Sequence, residues 1–164
     1  MSNATTKVLQ FWFGLERPCI TKNFKLWFSK DDTIDQQIIN EFSDIHSLLS
    51  KNPKALGEEP EQLLSSVIVL DQFSRNMFRN NSKSFAYDTL AIEVTKSLHL
   101  IIKSGSTNFG PYEKMFTYMP LMHSEEILEQ EFGIEVFTEL TQGIIIIILL
   151  KYIYYIIIIH SRIS

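Results

Sequence analysis

The chain has 164 residues and a net charge of −4, with 45% hydrophobic and 21% charged residues. That balance fits a globular chain and excludes wholesale disorder, and the acidic excess argues against nucleic acid as a partner, which would call for a basic stripe. A single cysteine, Cys19, makes neither an intrachain disulfide nor a thiolate cluster, and the polar start lacks the apolar run of a secretory signal, so a reducing cytoplasmic setting is expected.

In chain order, Val8, Leu9, Phe11, Trp12 and Phe13 make a dense apolar start closed by Gly14, and Phe24, Leu26, Trp27 and Phe28 come after Pro18. Trp12, Trp27 and Phe28 are expected in the core. Asp31 and Asp32 end that segment, and Thr33 with Gln36 resembles a capping box. Ile34, Ile38, Phe42, Ile45 and Leu49 then step at helical spacing. Asn52-Pro53 and Gly57 to Pro60 break the pattern. One helix is predicted from Pro60, at its first turn, to about Arg79. Asn80-Asn81-Ser82 ends it, and Ser84 caps the next helix, with Phe85, Ala91, Ile92, Thr95, Leu98 and Ile102 on its face. Ser104 to Gly110 reads as a loop and Pro111 as a helix start. Pro120 either kinks that helix or begins a last one that runs to about Leu140. No alternation at period two appears before the C-terminal tail, so the class is all-α, a single helical domain over residues 1–142 with an Ile-rich tail over 143–164.

That tail departs from the rest. Residues 1–142 hold 13 Lys and Arg against 19 Asp and Glu, a charge of −6, and the tail holds two basic residues and no acid. A membrane-spanning helix needs roughly 17–25 apolar residues. The run 144–159 falls just short and carries Lys151 at its middle, at about 2.5–3.5 kcal/mol on insertion scales. Every residue from Ile144 to Ile159 is codable with A and T alone, as read-through or a frame error in A/T-rich DNA would give. That reading is favoured over a C-terminal tail anchor, and a buried strand lacks a partner to pair with.

The informative segment is Leu63 to Arg79. On a wheel of about 100° per residue, Asp71 falls inside the arc of Leu63, Val67, Ile68 and Phe78, Arg75 shares that arc, and Arg79 lies at its edge. A carboxylate there is desolvated and needs a paired, hydrogen-bonded partner; Arg75 is its i+4 neighbour. Asp88 on the next helix is placed to face Arg75 or Arg79. One reading is structural, ion pairs fixing helix register. The other is an anion or carboxylate pocket served by the two guanidinium forks. Farther on, His123 and Glu126 stand at metal-ligand spacing, but a site needs three or four ligands, so no metal and no cofactor is expected. His123 with Glu125 suits acid–base work. Alternatively, Ser124 or His123 caps a helix whose positive end Glu125 and Glu126 favour.

Five stretches in order carry a resemblance: Val8-Leu-Gln-Phe-Trp-Phe-Gly14, Trp27-Phe-Ser-Lys-Asp31, Leu70-Asp-Gln-Phe-Ser-Arg-Asn-Met-Phe-Arg79, Phe85-Ala-Tyr-Asp88 and Tyr118-Met-Pro-Leu-Met-His-Ser-Glu125. Over roughly residues 8–140 the chain resembles the domain-of-unknown-function 924 family. The resemblance implies a TPR-like antiparallel helical array with no established activity, and strong positions at Asp71, Gln72, Arg75, Asn76, Arg79, Asp88, His123, Ser124 and Glu125. It also implies a Phe-Gly-Arg-Phe-Pro-His-Arg-Asn stretch and a final helical segment, where this chain has its Ile-rich tail. The resulting reading is a binding or scaffold module, with those nine residues as the ligand site and Arg79 and His123 meeting an anionic peptide, protein or small molecule. Its alternatives are a hydrolase using His123 and Glu125, and a membrane protein anchored through residues 144–159.

Overall fold

The structure, a computed structural model, describes residues 3–19 and 23–141, and the Ile-rich run lies outside the described residues. Among the described residues every regular element is helical, and no helix is long and apolar enough to cross a membrane. The chain divides into two compact units after Pro120.

The first helix, α1 (Asn3–Phe13), buries Thr5, Val8, Leu9, Trp12 and Phe13 at helical spacing and stops at Gly14, whose φ of +90° suits glycine. A short α2 (Phe24–Phe28) is tied to α1 by the Trp27 indole, which donates to the Trp12 carbonyl at 2.9 Å. Trp12 and Trp27 are buried as expected. Phe28 is not: it is half exposed at the end of this five-residue helix.

Helix α3 (Asp32–Leu49) begins one residue before Thr33, because Asp31 is the cap, its carboxylate accepting from the Thr33 and Ile34 amides. Gln36 bonds Asn40 instead of closing a capping box. The buried stripe is Asp35, Ile38, Phe42, His46 and Leu49. Ile34 and Ile45 sit at its margins, half buried, so two polar side chains occupy the face that apolar spacing alone assigned to isoleucines.

The predicted Pro60–Arg79 helix forms, but not as one α-helix. It comprises α4 (Pro60–Val67), a π-helical turn (Ile68–Phe73) and α5 (Ser74–Met77). Gly57, at φ +117°, leads into α4, where a Cβ would meet Gln62 Oε1 at 2.0 Å; that oxygen accepts the Glu59 amide and caps the helix. After Asn80, at φ +63°, the chain makes a 3₁₀ turn (Ser82–Phe85) before α6 (Asp88–Lys103). Helix α6 thus starts three residues later than a cap at Ser84 predicts, because Ser82–Phe85 closes a 3₁₀ turn of its own, in which the Ser84 hydroxyl donates to the Asn81 carbonyl. Phe85 consequently lies off the helix and is 61% exposed. Helix α4 packs on α6, and α3 packs on the π turn and α5. Edge-to-face contacts among Phe11, Phe42, Phe73, Trp12 and Phe116 fill the space between, each worth about 0.5–1.5 kcal/mol beyond area burial.

Helix α7 (Pro111–His123) runs through Pro120, and α8 (Ile127–Thr141) begins after a three-residue break. Pro120 therefore does not begin the last helix. In the second unit, Gly133 lets α8 approach the chain at Leu121 and Met122: a Cβ there would stand 2.8 Å from Met122 Sδ.

Candidate functional site

The π turn presents Asp71 and Gln72 to the interior. Such a turn inserts one residue into the helical ladder and re-aims the side chains beyond it. Asp71 is fully buried, accepts a hydrogen bond from Gln72 Nε2, and lies 3.4 Å from Arg75 Nη1. The same guanidinium grips Asp88 with two bonds, Nη1 to Oδ1 at 2.9 Å and Nη2 to Oδ2 at 3.1 Å. Nη1 also donates to the Ser84 carbonyl at 3.3 Å, which ties the 3₁₀ turn to α5. Burial works against the charge on Arg75, but the negative charges of Asp71 and Asp88 outweigh it and hold the group above its ordinary pKa. Two carboxylates share one cation here.

Arg79 goes elsewhere. Asp88 pairs with Arg75, and Arg79 forms a fork with Asp35 on α3, Nε to Oδ2 and Nη2 to Oδ1 at 2.8 Å. Asn76 Nδ2 donates to the same Asp35 oxygen at 2.8 Å. Burial tends to raise the Asp35 pKa, but the hydrogen bonds from Arg79 and Asn76 win and hold its carboxyl below the usual range. Arg79 Nη1 has no protein partner among the described residues.

His123, Ser124 and Glu125 belong to the second unit. His123 closes α7, half buried. The Ser124 hydroxyl accepts the Glu126 amide at 3.1 Å and the Ser124 carbonyl accepts from Gln130 Nε2, so Ser124 closes the turn that opens α8. Glu125 and Glu126 are exposed in that turn, where their charge favours the helix start. Glu126 lies outside both helices, so the i, i+3 face shared with His123 does not form. Among the described residues, no three His, Cys, Asp or Glu side chains converge as a metal site would require. Cys19 is buried, its thiol directed at the Phe13 carbonyl.

Three polar groups escape sequence reasoning. Asp35 is one. Another is Glu113, fully buried on α7, which pairs with Arg17 Nε and accepts the Gly110 amide. A Cβ on Gly110 would meet the Cys19 carbonyl at 2.9 Å, so this pair clamps the Arg17–Cys19 segment onto the start of α7. The third is His46, buried on α3 with Nε2 2.8 Å from Ser74 Oγ and its ring edge-on to Tyr87 and Phe78. Burial, aided by the charge of Lys83, lowers its pKa to about 4. The signal available for Asp35 and His46 was their spacing with Ile38, Phe42 and Leu49.

The family described as "Bacterial protein of unknown function (DUF924)" matches residues 8–146. The chain belongs to this family. A solved structure of a protein of unknown function from Agrobacterium tumefaciens shares the fold, with a TM-score of 0.69 and 24% identity over 83% of this chain and 73% of that one. No curated protein matches the chain. Membership in DUF924 fixes no activity, so the chemistry of the site has to carry any functional reading.

Proposed function

We propose that this DUF924 protein is a binding module on a TPR-like helical scaffold, and that Arg79 receives an acidic peptide or a small anion. The observation that carries the reading is the state of the Arg79 guanidinium. Its Nε and Nη2 edge is locked on Asp35, itself fixed by Asn76. The side chain is still 30% exposed, with Nη1 unpartnered among the described residues. A guanidinium already held in place loses little rotamer freedom when an anion arrives. Arg75 stands behind it, neutralised by Asp71 and Asp88, and serves to hold the helices in register.

The test uses a fluorescein-labelled hexaglutamate peptide and fluorescence anisotropy at low salt. Wild-type protein is expected to bind saturably, and Arg79→Gln, shown folded by circular dichroism, to bind at least tenfold more weakly. That ratio corresponds to the loss of one charge-assisted bond of about 1.5–3 kcal/mol. Absence of saturable binding by the wild type, or equal binding by Arg79→Gln, overturns the reading.

A further inference from the structure

A cleft of about 290 Å³ opens between α3 and the segment linking α5 to α6. Ser43, His46, Ser47 and Ser50 of α3 form one wall, and Phe78, Lys83 and Tyr87 stand among the residues of the other. None of Asp35, Asp71, Arg75, Arg79 and Asp88 lines it, so it is distinct from the ionic network.

Its hydrogen-bonding character depends on where each hydrogen goes. The Ser74 hydroxyl has one hydrogen, and that is committed to the Leu70 carbonyl at 2.6 Å. At the 2.8 Å contact between Ser74 Oγ and His46 Nε2, the imidazole must therefore donate. The proton sits on Nε2 and Nδ1 is a bare acceptor, with no partner among the described residues. His46 itself is only 4% exposed. Ser43 spends its hydrogen on the Ile39 carbonyl and Ser50 on the Ser47 carbonyl, so both also offer lone pairs. The α3 wall is thus a row of acceptors, joined by the Ser47 hydroxyl, which can give or accept. Opposite, Lys83 Nζ lies 4.4 Å from the centre of the Phe78 ring and makes no ion pair among the described residues. With the His46 pKa lowered to about 4 by burial and by Lys83, the ring stays an acceptor at neutral pH.

From this placement we infer that the cleft binds a small polyol carrying one carboxylate or phosphate, its acidic group on Lys83 and its hydroxyls donating to His46 Nδ1, Ser43 and Ser50. A bare anion leaves the acceptors His46 Nδ1, Ser43 and Ser50 unserved, and a neutral sugar leaves Lys83 without a counter-charge.

The experiment titrates the full chain with gluconate, glucose 6-phosphate, glucose and inorganic phosphate at pH 7.5, monitored by ¹H–¹⁵N spectra including the imidazole nitrogens. Gluconate or glucose 6-phosphate is expected to bind saturably, shifting the Ser47 and Lys83 amides and the unprotonated His46 nitrogen. Glucose and inorganic phosphate are each expected to bind at least tenfold more weakly, and Lys83→Gln to weaken the charged polyols by a similar factor. Lys83 is exposed, so that variant leaves the core intact. No saturable shift with either charged polyol overturns the inference. Unchanged affinity in Lys83→Gln, or an affinity for inorganic phosphate equal to that for glucose 6-phosphate, does so as well.

Discussion

Arg75 and Arg79 lie four residues apart, yet their surroundings differ in kind. Arg75 is 22% exposed and stands between a carboxylate that is fully buried and another at 16%. Arg79 is 30% exposed and is bonded to one carboxylate at 11%, with the charge of Asp32 also acting on it. In the first cluster two carboxylates engage one guanidinium; in the second one carboxylate does. Arg75 therefore cannot serve a ligand without abandoning a buried negative charge, which is costly in a medium of low polarity. Arg79 can keep its fork on Asp35 and still offer Nη1. The difference shows that a guanidinium is made structural or receptive by how many of its edges the fold consumes.

The sharpest way to break that comparison is to remove each arginine in turn and follow urea unfolding. Arg75→Ala removes the cation that Asp71 and Asp88 share and is expected to cost about 3–5 kcal/mol, the range for breaking a buried pair. Arg79→Ala leaves Asp35 with the Asn76 amide and some access to water, and is expected to cost about 1–3 kcal/mol. Equal losses for the two variants would show that exposure and partner number do not separate their roles.

The same residues set how much of the molecule was legible in its sequence. Asp71 and Arg75 stood out because charged side chains fell among Leu63, Val67 and Ile68 at helical spacing, which paired them with each other, and Asp88 stood out on the next helix, placed to face Arg75 or Arg79. The partner of Arg79 was not legible: Asp35 is 44 residues away, and nothing in a helix-by-helix reading brings α3 to α5. The π turn was hidden too, since Ile68-Val-Leu-Asp-Gln-Phe73 reads as an ordinary apolar helix, while the extra residue in its ladder alters the register of α5. The helix start after Asn81 was misplaced because Ser82–Phe85 closes a 3₁₀ turn, which the spacing of these residues does not separate from the first turn of an α-helix. In the second unit, Ser124, Glu125 and Glu126 were legible as a helix start, and that is the arrangement they adopt around α8.

A smaller effect sharpens the contrast between the ionic network and the His46 cleft. The folded-state pKa of His46 is depressed to about 4, against about 6.5 in an unfolded chain. Between those values the unfolded state binds the additional proton. This contribution to stability is therefore complete above about pH 6.5 and is lost as the pH falls toward 4, at no more than about 1.4 kcal/mol per pH unit. The groups facing the ring are Lys83, Tyr87, Phe78 and the Ser74 hydroxyl. Urea unfolding at pH 7.5 and 5.5 is expected to show a drop that His46→Gln reduces. Asp35 lies below this window, because its carboxyl is held under the ordinary carboxylate range. A drop of the same size in His46→Gln would assign the dependence to other groups.

The smallest effect concerns Phe85, whose ring centre lies 5.4 Å from the Arg75 guanidinium carbon. At an exposed position such a contact contributes about 0.5–1 kcal/mol, and 61% of the residue is in water. Phe85→Ala is therefore expected to lower stability by no more than that amount, because Asp71, Asp88 and the Ser84 carbonyl go on orienting Arg75. Removing the ring takes cover from the guanidinium, so exchange of the Arg75 Nε proton is expected to quicken while the unfolding midpoint barely moves. A loss approaching that of Arg75→Ala would mean that the ring, and not the two carboxylates, holds the guanidinium in place.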